Sequence, residues 1–223
     1  MKLKNILKKI YFALPHSNIY MLHHVQLEPE VDQSGCKLDT NDFYNFVNQH
    51  SRTISIPKLL ESKGLKFGRS AYTFDDGLAD VYTIAYPFLK SKQIPFTIFV
   101  LTDMLDTPGY LTTAQLLEMN DDPLVTIGAH GTLHRVLTDI TIDACKNEIF
   151  TSKEKLERIL QKHVSIFAYS HGQYNAQIVD MVKEAGYQYG FSVRGRPFQF
   201  IEYSNKLTLP RFNIDSTTIN RYK

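Results

Sequence analysis

Residues 95–101, Pro-Phe-Thr-Ile-Phe-Val-Leu, are almost continuously apolar and lack the alternation of a half-exposed strand. A strand of that kind is covered on both faces, as in a parallel sheet flanked by helices. The chain around it repeats the theme. Strand-like stretches at 19–25, 71–74, 124–128, 165–169, 189–193 and 207–211 alternate with stretches of helical spacing. Val81, Ile84, Ala85, Phe88 and Leu89 mark one helix over 78–90, and Ile142, Ile149, Leu156, Ile159 and Leu160 mark another. Residues 57–62 read as a short helix stopped at Gly64. Helix starts are expected at Thr40, at Thr112 or Thr113, after Thr141 and at Asn175, where a side-chain oxygen precedes the periodic pattern. Six or seven such alternations in 223 residues, with no internal repeat, linker or low-complexity tract, predict one α/β domain of parallel strands. Both a closed barrel and a doubly wound sheet satisfy the pattern, and both place their sites at the carboxyl ends of strands.

Polar groups gather at those ends. Tyr72, Thr73 and Phe74 are strand formers, and Asp75, Asp76 and Gly77 follow them directly. Gly77 permits a sharp turn. Two adjacent acids at the mouth of a buried strand repel each other and are costly to desolvate, so a cation is expected opposite them. Taken alone, the same residues also read as a solvated Asp-Asp-Gly turn. His130 and His134 follow the strand at 124–128. If the chain turns helical at His130, the pair shares one face, with Cβ atoms about 5–6 Å apart. A lone histidine there reads as structural; a pair at this spacing, with Asp-Asp after another strand, favours metal ligation. Paired His23 and His24, then His171, then Arg211 stand near the ends of further strands.

Composition narrows the partners. The formal charge of +2 leaves no broad electrostatic footprint for nucleic acid. Cys36 and Cys145 lie far apart without metal-type spacing, which suits two free thiols in a reduced compartment. No stretch is long enough to span a bilayer. Residues 1–16 stand apart from the domain at 17–223. Leu3, Ile6, Leu7, Ile10, Tyr11 and Leu14 fall at helical spacing opposite Lys2, Lys4, Lys8 and Lys9, an amphipathic basic helix. Its apolar run is too short for a signal-peptide core, so a cytoplasmic protein touching the inner leaflet through this helix is expected. The competing reading packs the helix on its own domain.

Thr73-Phe74-Asp75-Asp76-Gly77, then Gly128-Ala129-His130-Gly131-Thr132-Leu133-His134-Arg135, then Phe167-Ala168-Tyr169-Ser170-His171-Gly172 resemble the successive motifs of the polysaccharide deacetylases, the NodB-like carbohydrate esterase family four. Leu22-His23-His24 and Leu209-Pro210-Arg211 resemble its flanking segments. The resemblance runs from about residue 19 to 214. It implies a distorted (β/α) barrel and hydrolysis of an N- or O-acetyl group from a sugar or glycan precursor. It also implies one divalent ion, often zinc, on Asp76, His130 and His134. Asp75 then becomes the general base, with His23, His24 and Tyr169 expected around the substrate.

The chain departs from that pattern. Phe167 and Ala168 stand where the family carries its arginine, and Ser170 and His171 where it carries proline and an aromatic. The chain has no tryptophan, and no histidine follows His171 to supply the usual acid. Arg211 is the candidate to orient Asp75, and His171, His23 and His24 are candidates for the acid. Three readings therefore remain: a metal-dependent deacetylase, a weakly catalytic relative that binds metal or sugar, and a non-haem Fe(II) oxygenase with a two-histidine, one-carboxylate triad.

Membrane contact through the first helix is open to direct measurement. Each lysine near an anionic surface contributes roughly 1 kcal/mol. The full chain is expected to cosediment with anionic vesicles in a salt-sensitive way, and a folded chain lacking residues 1–14 to stay in solution. Indifference of the full chain to vesicles would assign the helix to the domain's own packing.

Overall fold

The computed structural model describes residues 17–26, 36–61, 68–193 and 206–221, so the expected helix at 1–16 lies outside the described residues. Nine strands are present among them: β1 Asn18–Leu22, β2 His24–Gln26, β3 Lys37–Asp39, β4 Ser70–Phe74, β5 Phe96–Val100, β6 Val125–Ala129, β7 Ile166–Ala168, β8 Tyr189–Phe191 and β9 Phe212–Asn213. Seven form one sheet in the order β8-β7-β6-β5-β4-β1-β9, and β2 pairs with β3 beside it. Every ladder is parallel. The two ends of the sheet meet through residues 206–213. Leu209 bridges to Phe191, and its carbonyl accepts from the Ser192 N–H at 2.8 Å. Three residues later Phe212 pairs with Tyr20 of β1. The result is the expected distorted barrel.

Helices cover the outside: α1 Thr40–Gln49, α2 Ile56–Glu61, α3 Tyr86–Ser91, α4 Thr113–Asn120, α5 Ile142–Lys146, α6 Ser152–Leu160 and α7 Ala176–Glu184. Single π-helical turns at Val81–Ala85 and Asn147–Thr151 lead into α3 and α6. Thr112, Thr141 and Asn175 cap their helices as expected, Thr112 in a reciprocal capping box with Gln115.

Successive strand side chains point to opposite faces, and this divides the core in two. Tyr20, Leu22, Tyr72, Phe74, Phe96, Ile98 and Phe167 face outward and pack with Phe43, Leu89, Leu116, Leu156 and Val182 of the helices. Ile19, Ala71, Phe99, Ile166, Ala168, Phe191 and Leu209 face inward and form a second cluster. Ile56, Leu59 and Leu60 of α2 join that inner cluster near the start of β4, where Thr53 bridges to Ser70.

Several expected boundaries move, each for a local reason. The stretch at 19–25 breaks at His23 into β1 and β2. Asp39, not Thr40, caps α1: its carboxylate accepts from the Asn41 and Asp42 N–H groups, while Thr40 is buried. Leu78 makes an antiparallel bridge to Tyr110 instead of opening a helix. The last strand falls later than 207–211, because this segment crosses from β8 to β1 and Pro210 has no N–H to give to a ladder. Cys36 and Cys145 are not joined in a disulfide. Among the described residues, no helix is long and apolar enough to cross a membrane.

The interior is filled to the point where one methyl matters. A Cβ on Gly128 of β6 would stand 2.6 Å from the Phe99 ring and 2.7 Å from the Ile166 side chain. Gly128→Ala is expected to cost about 1–3 kcal/mol through overpacking. A urea melt checks this, and a midpoint equal to the parent's would show a slack interior.

Candidate functional site

The inward series on each strand continues past the carboxyl end, and the polar groups of the site fall on it. On β4 the series is Ala71, Thr73, Asp75; on β6, Gly128, His130; on the closing segment, Leu209, Arg211, Asn213; on β1, Ile19, Met21, His23. A cavity of about 320 Å³ opens at this end. Asp75, Asp76, His23, His130, His134 and His171 line it, with Tyr169, Cys36 and Asn213. His24 has the opposite parity. It turns away and pairs with Asp80 at 2.6 Å, outside the cavity lining.

Asp75 is 2% exposed and Arg211 is wholly buried. The guanidinium holds the carboxylate with two bonds, Nη1 to Oδ1 at 2.6 Å and Nη2 to Oδ2 at 2.7 Å. Its Nη1 also donates to the Thr73 hydroxyl and its Nε to the Ser192 carbonyl. Burial alone would push the Asp75 carboxyl up. The Arg211 charge, with His130 and His23 behind it, reverses this and holds the group below the usual carboxylate range.

Asp76 leaves the strand in the left-handed region, at φ 72°, and Gly77 follows at φ 75°. The turn brings Asp76 Oδ1 to 3.4 Å from His130 Nε2 and 3.5 Å from His134 Nε2. One donor atom from each of these three residues lies within 4.8 Å of the others. Oδ1 is buried and has no hydrogen-bond partner among the described residues. His130 Nδ1 stands 2.8 Å from the Ala168 carbonyl, which fixes it as the N–H donor and leaves the Nε2 lone pair facing Asp76. An orphaned carboxylate oxygen and two imidazoles, one with its tautomer set from behind, suit a divalent cation such as zinc. The electrostatics agree. Burial would lower the His130 pKa, but Asp75 and Asp76 raise it, so the carboxylates draw positive charge to this point. Burial, and then His130, push His134 down to about 4, so its lone pair is available.

The chain does not turn helical at His130, so the two histidines do not share a helix face. Residues 130–136 form a loop in which Gly131 has φ 91° and His134 φ 61°. Glu148 on the π turn occupies the centre of that loop and accepts from the Thr132 and Leu133 N–H groups. Its sequence signal is a carboxylate on an apolar helical stripe with Cys145, Ile149, Ser152 and Leu156. The segment after β5 braces both ligand loops. Leu111 N–H donates to the Gly77 carbonyl at 2.9 Å, and Thr102 and Asp103 N–H donate to Gly131 and Thr132 at 3.2 and 3.1 Å.

His171 is exposed at the rim, at φ 56°, with its ring centroid 4.3 Å from that of His134. Asp76, His134 and His171 are thus three site residues in a region that non-glycine residues rarely occupy. Tyr169 lines the floor, but its hydroxyl is committed to the Leu207 carbonyl at 2.8 Å. His23 faces the cavity with a buried Nδ1 that has no hydrogen-bond partner among the described residues. Burial lowers its pKa against the opposing pull of Asp75 and Asp76. Cys36 and Asn213 also line the cavity, and nothing in their sequence surroundings marks them.

The geometry agrees with what the comparisons find. The polysaccharide deacetylase family model matches residues 63–190. The Bacillus subtilis (strain 168) protein YxkH is 31% identical over 118 residues, 53% of this chain and 42% of that protein. A poly-beta-1,6-N-acetyl-D-glucosamine N-deacetylase of Staphylococcus epidermidis is 28% identical over 134 residues, 54% of this chain and 46% of that enzyme. The chain thus spans under half the length of these curated relatives. The Streptococcus pyogenes deacetylase PplD, solved with acetate, superimposes with a TM-score of 0.80 at 21% identity, covering 91% of this chain and 93% of that one. At that identity the likeness speaks for the fold.

The buried pair yields a stability prediction. Arg211→Met strands the Asp75 carboxylate and is expected to cost about 3–5 kcal/mol. Adding Asp75→Asn removes the stranded charge, so the double variant should melt above Arg211→Met alone. A double variant that melts lower would mean that the two residues act independently.

Proposed function

The chain belongs to the polysaccharide deacetylase family, and from that membership we propose that it hydrolyses the acetyl amide of an N-acetylated sugar within a glycan. One divalent ion, zinc by the chemistry of its donors, is held by Asp76, His130 and His134. The observation that carries this reading is a single cavity in which the three donors stand beside an arginine-held carboxylate. That carboxylate also favours hydrolysis over oxygenation, since an Fe(II) triad has no use for an adjacent base. The substrate class follows the N-deacetylase named among the relatives.

When bound, the ion would acidify a water and polarise the acetyl carbonyl. The chain's own residues do the rest. Asp75 cannot rotate, because both of its oxygens are held by Arg211. It stays ionised and takes a proton from the attacking water as the new C–O bond forms. Its depressed proton affinity means that the proton moves on readily, to the His23 imidazole in the same cavity. The C–N bond then breaks, and its electron pair leaves on nitrogen, which needs a proton to depart as the amine. His23 is the group proposed to deliver it, passing on the proton received from Asp75: it is buried, faces the same cavity, and its Nδ1 has no hydrogen-bond partner among the described residues. His24 is occupied by Asp80. His171, at the rim against His134, is placed to meet the sugar.

Acetate release from an acetylated glucosamine oligomer, alongside release from an aryl acetate ester, tests both roles. Asp75→Asn is expected to retain its metal and lose about 10²-fold or more on both substrates. His23→Gln should lose activity mainly on the amide, since the aryl oxide leaves without a proton. Parent-like turnover of Asp75→Asn would move the base elsewhere, and equal losses for His23→Gln on both substrates would remove the acid role from His23.

A further inference from the structure

A carboxylate withdrawn from water is costly unless every lone pair is used, so a buried glutamate is worth asking about. Glu148 is 1% exposed and reaches neither the cavity nor the three donors. Among the described residues, the hydrogen bonds of its carboxylate all run to the loop that joins His130 and His134, and its ion pair to Arg135 just beyond that loop. Oε2 accepts from the Thr132 N–H at 2.7 Å and the Leu133 N–H at 3.1 Å. Oε1 accepts from the Thr132 hydroxyl at 2.8 Å, with Arg135 Nε at 3.7 Å. The loop in turn is shaped to receive it. A Cβ on Gly131 would stand 2.6 Å from Oε2, so only glycine at that position lets the carboxylate in, and Gly131 adopts φ 91° there.

The consequence lies at the ends of the loop. His130 is fixed independently, as the end of β6, with its N–H on the Val100 carbonyl and Nδ1 on the Ala168 carbonyl. His134 has no such strand to hold it and sits in the left-handed region at φ 61°. Its place beside Asp76 is set by the path of residues 131–133, and that path is wound around one carboxylate. We infer that Glu148 is a positioning residue for the metal centre, acting through the Thr132 and Leu133 backbone to hold His134 at ligand distance from Asp76. The inference rests on the reading that Asp76, His130 and His134 hold a divalent ion.

The full chain serves for the test, as the parent and as Glu148→Gln, Thr132→Val and His134→Ala. Zinc affinity is read by chelator competition, the Co²⁺ ligand-field spectrum reports site geometry, and circular dichroism with an apo-protein melt reports folding. Glutamine keeps one acceptor oxygen where the loop needs two. Glu148→Gln is therefore expected to fold, to shift the Co²⁺ spectrum and to weaken zinc by about 10–100-fold. Thr132→Val, which loses the hydroxyl contact alone, should weaken it by a smaller factor. A purely structural glutamate would lower the apo melt and leave the affinity of folded protein unchanged.

The outcomes separate two failures. If the parent binds no zinc, or His134→Ala binds like the parent, the ligand assignment falls and takes this inference with it. If the parent binds zinc through His134 and folded Glu148→Gln stays within about threefold of it, the positioning role alone is overturned. Should Glu148→Gln fail to fold, Thr132→Val decides by the same criterion.

Discussion

A carboxylate taken out of water keeps its charge only where something positive is fixed against it, and in this barrel that is Arg211. The guanidinium reaches across the mouth of the barrel, bonding Asp75 and Thr73 on β4 and the Ser192 carbonyl just past β8, above the Phe99 ring of β5. Three parts of the wall meet at one planar cation. With both oxygens held by Arg211, Asp75 stays 3.7 Å from His130 Nε2, beyond hydrogen-bond distance. The attraction at Asp76, His130 and His134 is what supports the ion proposed there.

The same geometry explains which residues became chemical. The inward parity that packs Ile19, Ala71, Phe99 and Leu209 in the barrel's middle carries His23, Asp75, His130 and Arg211 at its top. One more residue along the strand reverses the outcome, as His24 shows by pairing with Asp80 behind the sheet. Two of the three proposed metal donors are exceptions. Asp76 and His134 reach the centre through left-handed backbone after a strand or loop, where parity no longer rules.

This marks where the sequence could be read and where it could not. The strand order of chemistry was visible, because a doubly covered strand such as β5 and the acids after β4 have local signatures. The pairing of Arg211 with Asp75 was legible through the resemblance, since the third motif lacks its arginine and Arg211 is the residue offered in its place. The choice between His23 and His24 depends on the break after Leu22, which comes from packing. The shape of the loop at 130–136 is not legible locally, because Glu148, fourteen residues beyond His134 and on a different element, holds its backbone. The cap of α1 shifted by one residue because Asp39 outcompetes Thr40 once Thr40 is buried.

The closing segment has a bearing on how the barrel comes together. Arg211 meets Asp75 across 136 residues of chain, and the same few residues join the two ends of the sheet. Contacts so distant in sequence form late, since the entropy of closing the intervening chain must be met before they contribute. Until then Asp75 stands at the end of β4 without its counter-charge, and the carboxylate is better left hydrated than buried. Sealing of the barrel and dehydration of its charged end are thereby coupled through one ion pair.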